Sequence, residues 1–171
     1  VVKGPMIMLG YSNNEAANKT TFDSEGWMRS GDIGYYDQDG FLYIVDRMKE
    51  LIKVKGLQVK FQNFAREDKN HSQVAPAELE DVLRSLSGVK DVAVIGVKSE
   101  REGEVPRAYI VRADESLTEE IVNTFMREQV SSHKQLVGGI EFVQSIPKSA
   151  AGKILRKDLK LMHEQSMINN K

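Results

Sequence analysis

The sequence contains no cysteine. Disulfides, thiolate metal sites and a cysteine nucleophile are therefore excluded, and the chain has no need of an oxidising compartment. The three histidines, His71, His133 and His163, are too widely spaced to form a ligand pattern. Each reads as a surface or satisfied side chain, and no metal site is expected. No apolar run approaches the roughly 20 residues a membrane span needs. Charge of one sign is also missing: 24 basic against 25 acidic residues leave a formal net charge of -1. A chain-wide nucleic-acid footprint is absent, and any anion-binding charge must be local.

What is present is the profile of a soluble globular chain, with 40% hydrophobic and 29% charged residues in 171. That length suits one ordinary domain, or a small domain plus part of another. The chain begins at Val1, inside what reads as a structured segment, with no initiator Met or signal peptide. The expectation is a fragment.

In chain order, Met6 to Leu9 lies between Gly4-Pro5 and Gly10 and predicts a short strand; Asn13 to Lys19 predicts one helical turn. Ile33–Tyr36 and Phe41–Val45 flank Asp37-Gln38-Asp39-Gly40, which predicts a β-hairpin. Lys53 and Lys55 alternate with Ile52, Val54 and Leu57, the period of a half-exposed strand. From Pro76 the predicted order is α-β-β-α-β-α. The first helix, 76–86, carries an apolar stripe of Leu79, Val82, Leu83 and Leu86. Strands follow at 89–97 and 107–111, joined by a charged connection at 100–106. A second helix capped by Thr118 turns Ile121, Val122, Phe125 and Met126 inward. Gly138-Gly139 precedes a strand at 140–146, and a last helix, 155–165, presents Leu155, Leu159 and Met162. The fold class is α+β: an N-terminal hairpin, then a small domain whose three-stranded sheet is packed by helices.

Two stretches carry candidate chemistry. In SIPKSAAGKILRKDLK, 145–160, Lys153 stands on a tight Gly turn before a basic helix, where it could deliver a positive charge into a site built elsewhere. An ordinary turn into a surface helix has the same pattern. Asp32, beside Gly31 at a strand entrance, could accept a hydrogen bond on each oxygen from a pair of vicinal hydroxyls, such as those of a ribose. It could equally cap its own turn. Lys53 and Lys55 either face a ligand or form the wet face of their strand.

Read together, GWMRSGDIGYYDQDGFLYIVDRMKELIKVKG and IPKSAAGKILRKDL, with VAPAELE and GEVPRAYIV between them, resemble the carboxy-terminal motifs of the adenylate-forming superfamily. Its members are acyl- and aryl-CoA ligases, beetle luciferases and peptide-synthetase adenylation domains. KGLQV and APAELE are most similar to the 4-coumarate-CoA ligase and luciferase-like branch. The resemblance implies that residues 1–45 end a large AMP-binding domain, 46–48 form a hinge, and 49–171 form a mobile cap. It implies that Lys153 serves adenylation and that Asp32 holds the ribose of ATP, with Arg47 beside it. Lys53 and Gln58 would face the acyl-adenylate when the thiol of coenzyme A attacks. Lys49, at the hinge, and Gly56, where a bulkier side chain could block the pantetheine, are second-rank positions. ATP, coenzyme A and Mg2+ are the implied cofactors, held mainly by the missing amino-terminal domain. The implied partners are a small carboxylic acid and that domain, with no nucleic acid and no membrane span. Fatty acid metabolism is one implied setting.

Two departures stand out. The family's phosphate-cradling loop, acyl pocket and metal-linked acid fall outside the chain, so the isolated fragment is expected to be inactive. The polar block 60–73 also interrupts the pattern. Gln58-Val59 recurs as Gln73-Val74, and deleting the block leaves GLQVAPAELEDV without a seam. Either glutamine could be the family's; Gln58 keeps its spacing to Lys53. A loop insertion and a translated splice segment are the two readings of the block, the seamless junction favouring the second. A non-catalytic module keeping the cap fold is the rival to an enzyme. Asn169-Asn170-Lys171 is not a Ser-Lys-Leu-type peroxisomal address, so the cytosol is the default expectation.

Overall fold

The computed structural model describes residues 1–54 and 73–169. Gly56, Gln58, Lys55, Leu57, His71 and the block up to residue 72 lie outside the described residues. The chain divides into two compact units, Val1–Lys49 and Glu50–Lys171.

In the first unit, α1 spans Glu15–Thr21, its start capped by Asn14, whose side chain accepts from the Ala17 N–H at 3.1 Å. It begins later and runs longer than the single turn expected. Strands β1 (Asp32–Tyr36) and β2 (Leu42–Arg47) pair antiparallel, with Tyr36 opposite Leu42. The loop between them closes through Asp37 N–H to Phe41 C=O (3.0 Å) and Gly40 N–H to Asp37 C=O (3.2 Å). The Asp37 carboxylate also accepts from the N–H groups of Asp39 and Phe41, at 3.0 and 2.8 Å. The expected strand at Met6–Leu9 is not formed. Gly4-Pro5 starts a turn in which the Ile7 N–H bonds the Gly4 carbonyl, and extended pairing falls instead to Val2 with Met28.

The second unit is built on a three-stranded sheet. Strands β3 (Ile52–Lys53) and β4 (Gln73–Val74) form a separate antiparallel pair. Helix α2 spans Pro76–Arg84. Strands β5 (Val89–Ser99) and β6 (Gly103–Arg112) follow as a long antiparallel hairpin. The charged connection is thus shorter than expected, because residues 103–106 pair with β5. Helix α3 is Glu119–Gln129, its Thr118 hydroxyl accepting from the Ile121 N–H. Strand β7 is only Ile140–Phe142, parallel to β6, and α4 runs Arg156–Asn169.

Side-chain alternation along β5 separates two cores. Val92 and Val94 join Leu79 and Leu83 of α2, Val122 and Met126 of α3, and Ile52, Val54 and Val74. Ala93, Ile95 and Val97 face the other way, with Tyr109, Ile146 and Leu159 of α4. The architecture is therefore helix, sheet, helix in layers. Three expected inward residues are turned out: Ile121 is 46% exposed, Leu155 36% and Met162 42%. In α4 the positions one and two turns from Leu159 are taken by half-buried His163 and Ser166, so its inner face is partly polar. Gly138, before β7, meets the sheet so closely that a Cβ there would lie 2.7 Å from Val97 Cγ2 and 2.8 Å from the Pro106 carbonyl oxygen.

Candidate active site

In the first unit, Asp32 and Arg47 face each other across β1 and β2, with Arg47 Nε 3.3 Å from Asp32 Oδ1. The Asp32 carboxylate is turned across the hairpin, while its own N–H donates to Ser30 Oγ at 3.3 Å. Both side chains remain partly exposed, so the carboxylate can still accept from a ligand. Lys49, the last residue of this unit, is exposed.

In the second unit, Lys153 ends a five-residue turn, Ser149 to Lys153. The Ser149 N–H donates to the Lys153 carbonyl and the Gly152 N–H to the Ser149 carbonyl, both at 2.8 Å. Lys148 and Ile154 pair just outside. Ser149 Oγ accepts from the Lys153 N–H at 3.2 Å. This is the closure already seen at Asp37 to Phe41: a short polar side chain at the first position, glycine at the fourth. Gly152 has φ +78°, a left-handed conformation that a β-carbon disfavours by roughly 1 kcal/mol. Lys153 itself is exposed, and its ammonium has no ion-pair partner among the described residues. A charge held by backbone geometry and left unneutralised is available to an incoming anion.

The two roots of this turn are tied to β5. Before it, Lys148 Nζ pairs with Asp91 Oδ2 at 2.6 Å. After it, the Leu155 N–H donates to the Pro147 carbonyl, and α4 opens with Arg156. The Arg156 guanidinium holds both oxygens of Glu80 on α2, at 2.7 and 2.9 Å. Glu80 is 3% exposed and is the one buried charged side chain among the described residues. Its Oε1 also accepts from the Val94 N–H at 2.9 Å, while Arg156 Nε donates to the Val94 carbonyl at 3.3 Å. β5 is a sheet edge, so Val94 would otherwise present an unpaired donor and acceptor; the ion pair satisfies both. Burial pushes the Glu80 carboxyl above its ordinary range, against the pull of Arg156, the Val94 amide and Arg84. Glu80 and Arg156 were missed from the sequence. The signal that could have found them is the pair of charged positions within APAELE and KILRKDL, since one lies on a helix face that is otherwise apolar.

Lys53 sits on β3, exposed between buried Ile52 and Val54. Its backbone N–H donates to Glu104 Oε2 at 3.0 Å, and Val54 bridges to Gly103. Glu104 lies opposite Lys98 on β5, whereas Lys148 is anchored at Asp91. The seven-residue step from Asp91 to Lys98 puts the two anchor points roughly 23 Å apart along the strand. The structure therefore does not bring Lys53 and Lys153 together; each is presented from a different end of β5. Gly56 and Gln58 are outside the described residues, and Gln73 is paired with Lys53 in β3–β4. Among the described residues no cluster of three or more His, Asp or Glu side chains is placed to hold a metal ion.

Comparison with known proteins gives this geometry a family. Residues 78–153 match the family model of the AMP-binding enzyme C-terminal domain. A probable 4-coumarate-CoA ligase 1 of Dictyostelium discoideum is 46% identical over 160 residues, covering 93% of this chain and 26% of that protein. This chain belongs to the adenylate-forming superfamily. It is similar also to a luciferin 4-monooxygenase of Photuris pensylvanica, at 46% identity over 95% of this chain and 27% of the enzyme. Among solved structures, the o-succinylbenzoate CoA synthetase of Bacillus subtilis in complex with its acyl-adenylate intermediate superposes with a TM-score of 0.75 at 32% identity. That match covers 92% of this chain and 29% of the synthetase. The chain thus spans about a quarter of the length of the curated relatives it matches and corresponds to their carboxy-terminal portion. Among the described residues, no helix is long and apolar enough to cross a membrane.

Proposed function

We propose that this chain is the carboxy-terminal part of an ATP-dependent carboxylate-CoA ligase. In this reading residues 1–45 complete a large AMP-binding domain, 46–48 form the hinge, and 49–171 form a cap that presents Lys153 in one half-reaction and Lys53 in the other. The observation that carries it is the pair of exposed lysines held at separate places along the β5–β6 hairpin, the turn of Lys153 through Arg156 at Val94 and Lys148 at Asp91, and Lys53 at Glu104, opposite Lys98. One rigid body cannot turn both places to the same point at once. A rotation between steps supplies them in turn.

The chemistry accounts for the residue types. In the first half-reaction a carboxylate oxygen bonds to the α-phosphorus and the bond to pyrophosphate breaks. Two anions approach while charge gathers on the phosphoryl oxygens, and the Lys153 ammonium is the cation placed to offset it. Such a preorganised charge in a water-poor site is worth several kcal/mol. Asp32 accepts from the ribose hydroxyls, with Arg47 beside it holding the carboxylate in place. In the second half-reaction the thiol of coenzyme A attacks the acyl carbon and AMP leaves; Lys53 and Gln58 line that approach, with Lys49 and Gly56 beside the path. Mg2+ would be held mainly by groups of the amino-terminal domain. The substrate is a small carboxylic acid.

The test is made in the full-length protein. Lys153→Ala is expected to reduce acyl-AMP formation to a small residual rate with folding intact, and Lys53→Ala to spare that step while slowing thioester formation from supplied acyl-AMP. An unchanged adenylation rate in Lys153→Ala would refute the assignment and favour a non-catalytic module. The 171-residue chain alone is expected to be inactive, and acyl-AMP made by the purified chain would refute that expectation.

A further inference from the structure

We infer that the Glu80–Arg156 pair is a positioning device for Lys153, setting the direction of its turn from the opposite side of the sheet. The inference rests on the adenylation reading of Lys153 given above. Local hydrogen bonds shape the turn Ser149 to Lys153, but they do not say where it points. Its direction is set at its roots. On the carboxy-terminal side only Ile154 and Leu155 separate Lys153 from Arg156, whose guanidinium is fixed at three points: both Glu80 oxygens and the Val94 carbonyl. Two different nitrogens are held, Nη2 by the carboxylate and Nε by the Val94 carbonyl, and a planar guanidinium tied at two nitrogens is fixed in orientation as well as distance.

Glu80 in turn cannot drift. It is held by α2, whose Leu79 and Leu83 are fully buried, and by the Val94 N–H. α2 and α4 pack on opposite faces of the sheet, so the pair reaches round the edge of β5 and locks the two layers in register. Lys148–Asp91, at the other root, is more exposed and makes a single contact. An exposed single-contact pair is a weak guide of direction, so the buried anchor made through two nitrogens of Arg156 dominates. Lys53 does not share this anchor, because its strand is held by Glu104 and Gly103. The role is therefore specific to one half-reaction.

Glu80→Gln tests this in the full-length protein. The substitution keeps the shape of the side chain and its bond to the Val94 N–H, and removes the anion from Arg156. Adenylation, followed as acyl-AMP formed without coenzyme A, is expected to fall roughly 100-fold, the scale of an ångström-sized misplacement. Thioester formation from supplied acyl-AMP is expected to keep its rate. In a Lys153→Ala background Glu80→Gln is expected to add no further loss, because the pair acts through that lysine. Arg156→Lys, which keeps the charge and leaves one nitrogen where two were anchored, is the second variant if Glu80→Gln fails to fold, and should show the same selectivity. Parallel loss of both half-reactions, an unaltered adenylation rate, or a full further loss on top of Lys153→Ala would each overturn the inference. If Lys153→Ala itself adenylates normally, the underlying assignment fails instead, so the two failures are told apart.

Discussion

Replacing Gly138 by alanine is expected to cost the second unit far more than one methyl group ordinarily does. The new Cβ would stand 2.7 Å from Val97 Cγ2, 2.8 Å from the Pro106 carbonyl oxygen and 3.1 Å from Arg107 Cβ. Two of these are backbone or β-branched atoms of the central hairpin and cannot swing aside. Relief requires the segment to move away from β6, which breaks the Gly138 N–H to Pro106 carbonyl bond (2.8 Å) and strains the Arg107 Nη1 bond to the Gly138 carbonyl (2.8 Å). Overpacking of this kind costs about 2 kcal/mol, which lowers the thermal midpoint of a unit this size by roughly 6–12 °C. The control is Gly152→Ala. Its Cβ meets nothing within 4 Å, so only the φ of +78° is penalised, at about 1 kcal/mol confined to the turn. Melting of the 171-residue chain, followed by far-ultraviolet circular dichroism, ranks the two. A Gly138→Ala chain that melts with the parent, or above Gly152→Ala, refutes the steric argument.

Burial, and then the Arg107 guanidinium, hold the His163 imidazole below its ordinary 6.5, while Glu141 and Glu164 pull the other way. The unfolded chain therefore binds the proton first, so stability is fully present above pH 6.5 and falls as pH drops through the window below it. His163→Gln should flatten that slope in urea midpoints measured across the window, and an unchanged slope would count against it. Leu83→Ala, at a fully buried position of α2, should destabilise the second unit by about 2–5 kcal/mol in chemical denaturation; a loss under about 1 kcal/mol would mean the core can collapse around it. In the full-length protein, Asp32→Ala should raise the KM for ATP roughly tenfold or more through loss of a charged acceptor. A shift in the KM for the carboxylic acid alone would contradict the ribose assignment.

The parts legible in the sequence were those specified locally. Asp37-Gln38-Asp39-Gly40 announced the β1–β2 hairpin because the turn is built from its own side chains, and Gly152-Lys153 announced the second turn for the same reason. Leu79 and Leu83 marked α2 by period. The apolar run Met6–Leu9 misled because Gly4-Pro5 bends the chain before pairing can begin. In α4 the inward positions are Arg156, Leu159, His163 and Ser166, so a search for apolar period selected Leu155 and Met162 instead. Glu80 stood out only faintly, as a charge on an otherwise apolar helix face, because its partner lies 76 residues away and a glutamate inside a helix reads as solvated. Its burial is intelligible only once an open strand edge and a guanidinium are seen to need it.

The Glu80–Arg156 pair also has a consequence for biosynthesis. At about 5–20 residues per second, the ribosome makes Glu80 roughly 4–15 s before Arg156 exists. During that interval α2, the β5–β6 hairpin and α3 can assemble, while the Val94 edge and the Glu80 carboxyl wait for their cation. The unit is finished only when α4 arrives, and that event also aims the Lys153 turn. On the inference above, completion of the nascent domain and aiming of the turn are one step, so a chain arrested just upstream of Arg156 carries the Ser149–Lys153 turn with nothing to aim it.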